Sequence, residues 1–482
     1  MKQLIRYTAA VALLTAATLP ATAQEFRTSY FMETSNFRHQ MNPALLDSAS
    51  AYVAMPFLGN VNVGATGNIG YGTFIFDNPL ENNVRYPQTT FMNPGISAAE
   101  FLDGIKSKNR VDIYLNYNIF STAFKGFKGM NVVELNVRSN SNVSLPYELF
   151  DFAKQAGAKE QYDLSGIGVR SQSYAELVLG HSHHIGKKWT VGGKMKFLFG
   201  LAYADLDVKN LDLTMNGDLW RVQGDASLKM NVLKSHWGHY GSLSNSADGR
   251  QRVDFDGFDV DGGLAGFGLA FDFGATYKVD EHLTVSASLT DLGFINWSNT
   301  SHASSLGDYT FTGFRKSNGQ SDGNTNGNLD DIHVSGEEGK DLGKQFEDLG
   351  RDLEDMFNLY DDGTKSASSG LAATLNLGAE YRLPAYDKLK FGFLYTSRIC
   401  GKYSYHQGQF SAAVRPVRAI EATLNFAATS TGVTCGGALS FSAKHYNFYI
   451  GTDRFFGKVS KQFIPINRAN MNVNVGMTFP LR

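Results

Sequence analysis

The period-two alternation that runs through this chain constrains its fold more than any other feature. It is plainest at the end. Met471, Val473, Val475, Met477, Phe479 and Leu481 share one face of an extended segment, and Asn470, Asn472, Asn474, Gly476 and Thr478 share the other. Such alternation over about ten residues is what a strand with one apolar and one polar face requires. The segment's interior carries neither charge nor Pro, the usual protections of an exposed edge. It therefore predicts a strand paired on both sides, as in a closed barrel.

Similar segments fall near 60–76, 110–123, 130–144, 171–184, 189–202, 207–216, 219–232, 263–278, 282–297, 368–383, 387–399, 403–415, 418–429, 432–445 and 447–454. The segment 60–76 reads either as wall or as internal, and 207–216 is the weakest. With the last strand, the alternation predicts an all-β transmembrane antiparallel barrel of fourteen or sixteen strands, an even number.

The connections support this. With the C-terminus in the periplasm, the short turns 384–387, 279–282, 216–218 and 185–188 all fall on that side. The long connections 298–367, 233–262, 145–170 and 77–109 all fall outside. Short periplasmic turns and long outer loops are the asymmetry of outer-membrane barrels. Trp189, Trp220 and Trp297 fall at strand ends, where interfacial aromatic girdles lie.

The N-terminus reads as an export signal over residues 1–23. Lys2 and Arg6 precede an apolar run, Ala9 to Leu19, too short to span a bilayer. Ala21-Thr22-Ala23 is a small-x-small cleavage pattern. No later run reaches 18 apolar residues. The chain then divides into a hatch-like segment, 24–58, and a barrel, 59–482, destined for the outer membrane and in contact with its lipid. The mean hydropathy of −0.23 suits strands of which one face is polar. The 50 Gly, 22 Tyr and 35 Phe suit lipid-facing walls around a crowded lumen.

Charge is concentrated in one outer loop. Asp322 to Asp362 holds thirteen acidic and three basic residues, a net of −10, against −2 for the whole chain. Within it Leu342, Phe346, Leu349, Leu353, Phe357 and Tyr360 recur at spacings of 4, 3, 4, 4 and 3, an amphipathic helix. Its apolar stripe packs on the barrel's own rim, or serves as a lid or a docking surface for a partner. Shorter helices are expected after the capping box Ser97-Ala98-Ala99-Glu100 and after Pro146.

Other candidate chemistry is sparse. Asp322 to Asn328 opens like a calcium loop, but its twelfth position is His333 instead of Glu. His181 and His183 share a strand face and could chelate a metal, but no Cys or carboxylate stands at a metal-site spacing, and they read as ordinary polar lumen or turn residues. Cys400 and Cys435 could bond only if the 399–407 loop folds inward. No Gly-x-Ser-x-Gly elbow or Ser/His/acid grouping is present, so an enzyme is not expected. No cofactor motif stands out, and no basic cluster suits nucleic acid.

Three segments carry resemblances. Asn42-Pro43-Ala44, close after the mature N-terminus, resembles the Asn-Pro-Ala segment of FadL-type transporters, in which an N-terminal hatch plugs the lumen. Asp291-Leu292-Gly293-Phe294-Ile295-Asn296-Trp297 looks like a strand end in Bacteroidota barrels of the PorV and PorP kinds. Gly192 to Tyr203 is similar to a segment of an uncharacterised Bacteroidota outer-membrane family, a resemblance covering most of the mature chain. The first implies a channel for small, hydrophobic molecules, with Arg38, Asn42 and Pro43 at the hatch or gate. The second implies a non-transporting adaptor of a surface assembly, with a protein partner.

Overall fold

A computed structural model describes residues 26–47, 50–56, 59–79, 87–216, 219–241, 246–311, 350, 356–430, 432–455 and 470–481. Fourteen wall strands among them pair in antiparallel order. In chain order they are β1 (Tyr52–Ala54 with Asn60–Gly67), β2 (Lys108–Gly126), β3 (Gly129–Pro146), β4 (Gly168–Ile185), β5 (Trp189–Asn216), β6 (Leu219–Val232 with Gly266–Lys278) and β7 (Leu283–Ser304). They continue as β8 (Tyr360–Gly370 with Ala373–Arg382), β9 (Leu389–Ile399), β10 (Tyr405–Val417), β11 (Ile420–Thr429), β12 (Gly432–Ser442), β13 (Asn447–Thr452) and β14 (Asn470–Pro480). The ring closes where β1 pairs with β14, with Val63 opposite Val473 and Asn62 opposite Asn474.

The expected division of faces holds. On neighbouring strands Phe393, Phe410 and Phe426 point outward and are 52%, 51% and 60% exposed. The inward positions beside them, Gln409 and Asn425 among them, are buried. Amides line much of the interior, including Asn62, Asn136, Asn376 and Asn472.

One end carries only short connections: 127–128, 186–188, 279–282, 383–388, 418–419 and 443–446. The turn expected at 216–218 is not among them. Trp189–Asn216 is one strand of 28 residues. Its first half pairs with Gly266–Lys278 and its second half with Leu219–Val232, and Asn216 opposes Leu219 at the opposite, loop end. The segments near 189–202 and 207–216 are thus one strand, and those near 219–232 and 263–278 form one interrupted strand. Sixteen segments become fourteen. The physical cause is a bulge. Ser173 opposes Ala202 and Tyr174 opposes Gly200, so Leu201, at the end of the first segment, is an extra residue; a second follows at Lys209, between Asn210 opposite Asp225 and Val208 opposite Ala226. A bulge shifts the alternation by one and reads locally as a strand end.

The long hairpin of β5 and β6 projects into a head at the loop end. Val208, Leu211, Leu213, Trp220, Val222 and Trp237 form its apolar core with α2 (Tyr147–Gln155), which supplies Leu149 and Phe152. Before it comes α1 (Ala98–Leu102), whose N-cap Ser97 accepts the Glu100 N–H at 3.1 Å. A second cluster joins Phe91, Phe101 and Phe150, with the Phe91 and Phe101 rings stacked at 4.2 Å. Trp220 and Trp297 are accordingly buried instead of lying in a girdle. Trp220 sits in the head and Trp297 stacks on Tyr203 at 5.0 Å. Trp189 is exposed at the turn end against Tyr277, 4.7 Å away.

Replacing an outward residue at mid-wall tests the division of faces. Phe410→Arg is expected to lower stability in a bilayer by about 2–4 kcal/mol. The check is the midpoint of urea unfolding from lipid vesicles, where Ala412→Ser, a small change on the same face, should move it little.

Candidate functional site

Residues 26–47 enter the lumen as three short 3-10 turns, Arg27–Ser29, Asn36–Gln40 and Pro43–Leu46. A ring of wall groups receives their polar atoms. Asp453 accepts the Thr28 N–H at 2.7 Å, its hydroxyl at 2.6 Å and the Arg27 N–H at 3.2 Å. Glu421 accepts the Thr34 N–H at 2.9 Å and its hydroxyl at 2.7 Å. Lys390 donates to the Phe31 carbonyl at 2.7 Å, and Ser288 and Asn376 donate to the Met41 carbonyl at 2.6 and 3.1 Å. Buried polar groups that find such partners avoid the 1–3 kcal/mol or so that each orphan costs.

The expected gate residues all lie in this segment. Arg38 and Asn42 are buried. Asn42 caps the third turn, its Oδ1 accepting the Ala44 N–H at 3.0 Å, while its Nδ2 donates to the Tyr30 hydroxyl at 3.0 Å. The Asn42-Pro43 corner seats on Gly192 and Gly274, which oppose each other on β5 and β6. A Cβ at Gly192 would lie 2.5 Å from the Pro43 carbonyl carbon, and one at Gly274 2.1 Å from Asn42 Oδ1. Phe31 and Phe26 use Gly392 and Gly451 in the same way. The wall is thus notched by glycine where the hatch presses on it.

His39 is the hatch's buried titratable contact. Lys194 lies 2.8 Å from its Nδ1 and the Tyr52 hydroxyl 2.9 Å from its Nε2. An ammonium only donates, so Nδ1 accepts and Nε2 carries the hydrogen. Burial, and then the charge of Lys194, pull the imidazole down to about 3, although Glu134 is also near. Glu33 faces Lys390, Arg382 and Arg415. Burial opposes its ionisation, but Lys390 and Arg382 outweigh that and hold it at about 2.

Above the hatch a wall-borne charge cluster follows. Arg138 Nε is 2.8 Å from Glu176, and its Nη1 is 3.4 Å from Asp291. Lys196 is 2.7 Å from Asp272 and 2.6 Å from Asp291. Asp291 holds a positive φ of 58° at a bulge, where its N–H donates to Asp272 at 2.7 Å.

The 400–404 loop closes the loop end. Arg110 of β2 donates to the Ser404 carbonyl at 2.9 Å and to the Tyr403 carbonyl. Lys402 pairs with Asp207 of β5 at 2.6 Å, and Tyr403 is buried. The inward fold of this loop does not bring about a disulfide: Cys400 and Cys435 are both free.

Between hatch and loop lie two adjoining cavities of about 40 and 20 Å³. They share Asn140, Tyr174, Ala372 and Arg398; Arg27, Arg138 and Asp291 border the larger, Arg170 and Cys400 the smaller. A water occupies at least about 10–15 Å³ on this measure, so the chamber has room for a few waters or one very small solute.

The remaining sequence candidates lie elsewhere. Phe357 is buried in the head core with Met356 and Leu359. Leu342, Phe346, Leu349 and Leu353, the calcium-like loop and residues 1–23 lie outside the described residues. His181 Nε2 is 3.2 Å from His183 Nδ1, with Asn131 Oδ1 3.0 Å from His181 Nδ1. Sequence reasoning missed Arg27, Arg138 and Arg398. For Arg138 and Arg398 the signal was parity, since charged residues on the polar face of a barrel strand point into the lumen; Arg27 lies in a 3-10 turn, where no such alternation marks it.

The structure defines a closed antiparallel barrel with an N-terminal hatch inside it and an occluded polar chamber. The chain belongs to the family of unknown function DUF5723, whose model matches residues 43–453. Among solved structures it is similar to the Ralstonia pickettii toluene transporter TbuX, at 9% identity over 92% of this chain and 94% of that one, with a TM-score of 0.42. It is similar also to the Pseudomonas putida toluene transporter TodX, at 9% identity over 92% and 93%, TM-score 0.39. A Pseudomonas aeruginosa FadL homologue matches at 10% identity over 91% of each chain, TM-score 0.37. No curated protein matches the sequence.

Two measurements check the hatch. Gly192→Val should push Pro43 off the wall at a cost of about 1–3 kcal/mol, seen as faster protease cleavage within residues 26–47 while the barrel stays heat-modifiable. Acid should weaken docking. Undocked His39 titrates near 6.5 and docked His39 near 3, so docking is fully stable above about 6.5. It then loses about 1.4 kcal/mol per pH unit as pH falls below that. Hydrogen exchange of the hatch amides between pH 7 and 5 reads this, and His39→Gln should flatten the profile.

Proposed function

We propose that this protein is an outer-membrane barrel that admits small solutes by a gated route, with residues 26–47 as the gate. The outward apolar belt and the closed ring of strand pairs support the location, since a lipid-facing wall must satisfy its backbone internally. The export signal read at residues 1–23 agrees with it.

The observation that carries the gated reading is that the lumen is stopped by two short segments that are not wall. The hatch below and the 400–404 loop above enclose the chamber, and each is held largely by side-chain contacts that can be exchanged for water. Movement of both opens the lumen without breaking a strand pair. An apolar solute, as the FadL resemblance implies, would meet Arg138, Arg398 and Asn140 here. The chamber therefore favours small polar solutes.

A second reading, the adaptor of a surface assembly, is favoured by the head, which has an apolar core of its own. Swelling of proteoliposomes in small sugars separates the two. Deleting residues 26–47 and shortening the 400–404 loop together should raise permeability several-fold over wild type. A deletion variant as tight as empty vesicles would sink the gated reading, and a stoichiometric partner in affinity purification would then point to the adaptor.

A further inference from the structure

We propose that the chamber is an anion site, built to hold the carboxylate of a small hydrophilic solute between Arg27, Arg138 and Arg398. The inference rests on the gated reading and names the class of solute. Three guanidinium groups from three separate elements border one cavity: Arg27 from the hatch, Arg138 from β3 and Arg398 from β9. All three are buried.

Their partners differ. Arg138 is matched by Glu176 and Asp291. Arg398 donates from Nη2 to Asn140 Oδ1 at 2.7 Å, and no carboxylate lies within 4 Å of it among the described residues. Arg27 donates from Nη1 to Gln407 at 2.9 Å and to the Tyr405 hydroxyl at 3.2 Å, both neutral. Asp453 takes up the Arg27 backbone N–H instead of its guanidinium. Asp291, the one carboxylate bordering the cavity, is already engaged by Lys196 and Arg138, and Arg398 reaches it only as a more distant charge, without an ion-pair contact.

Buried guanidinium groups whose hydrogen-bond partners are neutral keep unused donors and a charge that is only partly compensated, which an entering carboxylate satisfies. Arg also presents its donors as a planar fork that fits the two oxygens of a carboxylate. The surrounding Asn140, Thr374, Asn376 and Thr396 offer polar neighbours and no apolar bed for an alkyl chain. Because Arg27 belongs to the hatch, an anion that recruits it also strengthens the closed state. Solute occupancy and hatch docking are thereby coupled.

Acetate is the probe, applied to the purified full-length protein in detergent. The thermal unfolding midpoint should rise with sodium acetate above a sodium chloride control of equal ionic strength, and decanoate should give no further gain. Arg398→Gln, which keeps a donor for Asn140, should weaken the acetate effect roughly tenfold to hundredfold; Arg27→Gln should do so too. Heat-modifiability verifies that each variant is folded. A wild-type midpoint that responds to acetate and chloride alike overturns the proposal, as does full acetate response in both variants. If acetate binds but removing both the hatch and the 400–404 loop leaves vesicles tight, the anion site stands and the gated reading falls. If the deletion opens the vesicles but acetate does not bind, the reverse holds.

Discussion

The pairing of Asn60–Thr66 with Asn470–Gly476 is the constraint on which the rest of the structure depends. It joins the first wall strand to the last and leaves the wall itself no open edge. Once fourteen strands are closed, the circumference is fixed, and with it an interior wider than side chains alone can fill. A barrel of about eight strands is filled by its own side chains. Here the remaining space is taken by residues 26–47, by long inward Arg and Lys side chains, and by the 400–404 loop. The hatch is thus a consequence of strand number as much as an addition to it.

Filling a polar lumen with polypeptide sets a second problem. Backbone groups of the 3-10 turns need partners that short turns cannot supply internally. The wall supplies them through Asp453, Glu421, Lys390, Ser288 and Asn376, from widely separated strands. Contact close enough for these bonds requires notches, and Gly192, Gly274, Gly392 and Gly451 provide them. Glycine abundance in the wall therefore reflects the hatch as well as strand tilt.

Where the alternation is regular, the sequence was legible: β14, with its Asn and Val faces, and the long loops gathered at one end. It failed where a local irregularity carried the strand into a different environment. The bulge at Leu201 lies where one strand of 28 residues was read as two, and that extra strand put the 216–218 turn at the wrong end. Trp220 and Trp297 were read as girdle residues because a head core and a lumen stack are both invisible to a count of strand ends. Arg38, Asn42 and Pro43 were singled out as a gate through the resemblance of one short segment. The arginines around the chamber were not, because the three lie far apart along the chain.

The sequence by itself determined the all-β class, the even strand number, the outward apolar face and the presence of a segment ahead of the wall. These follow from period-two patterning, which is local and survives in one dimension. Only the tertiary structure decided that the ring has fourteen strands, that residues 26–47 turn inward onto glycine notches, and that Arg27, Arg138 and Arg398 meet around one cavity. Those facts depend on register and closure, which bring residues up to hundreds of positions apart within hydrogen-bonding reach. No window along the chain contains both partners.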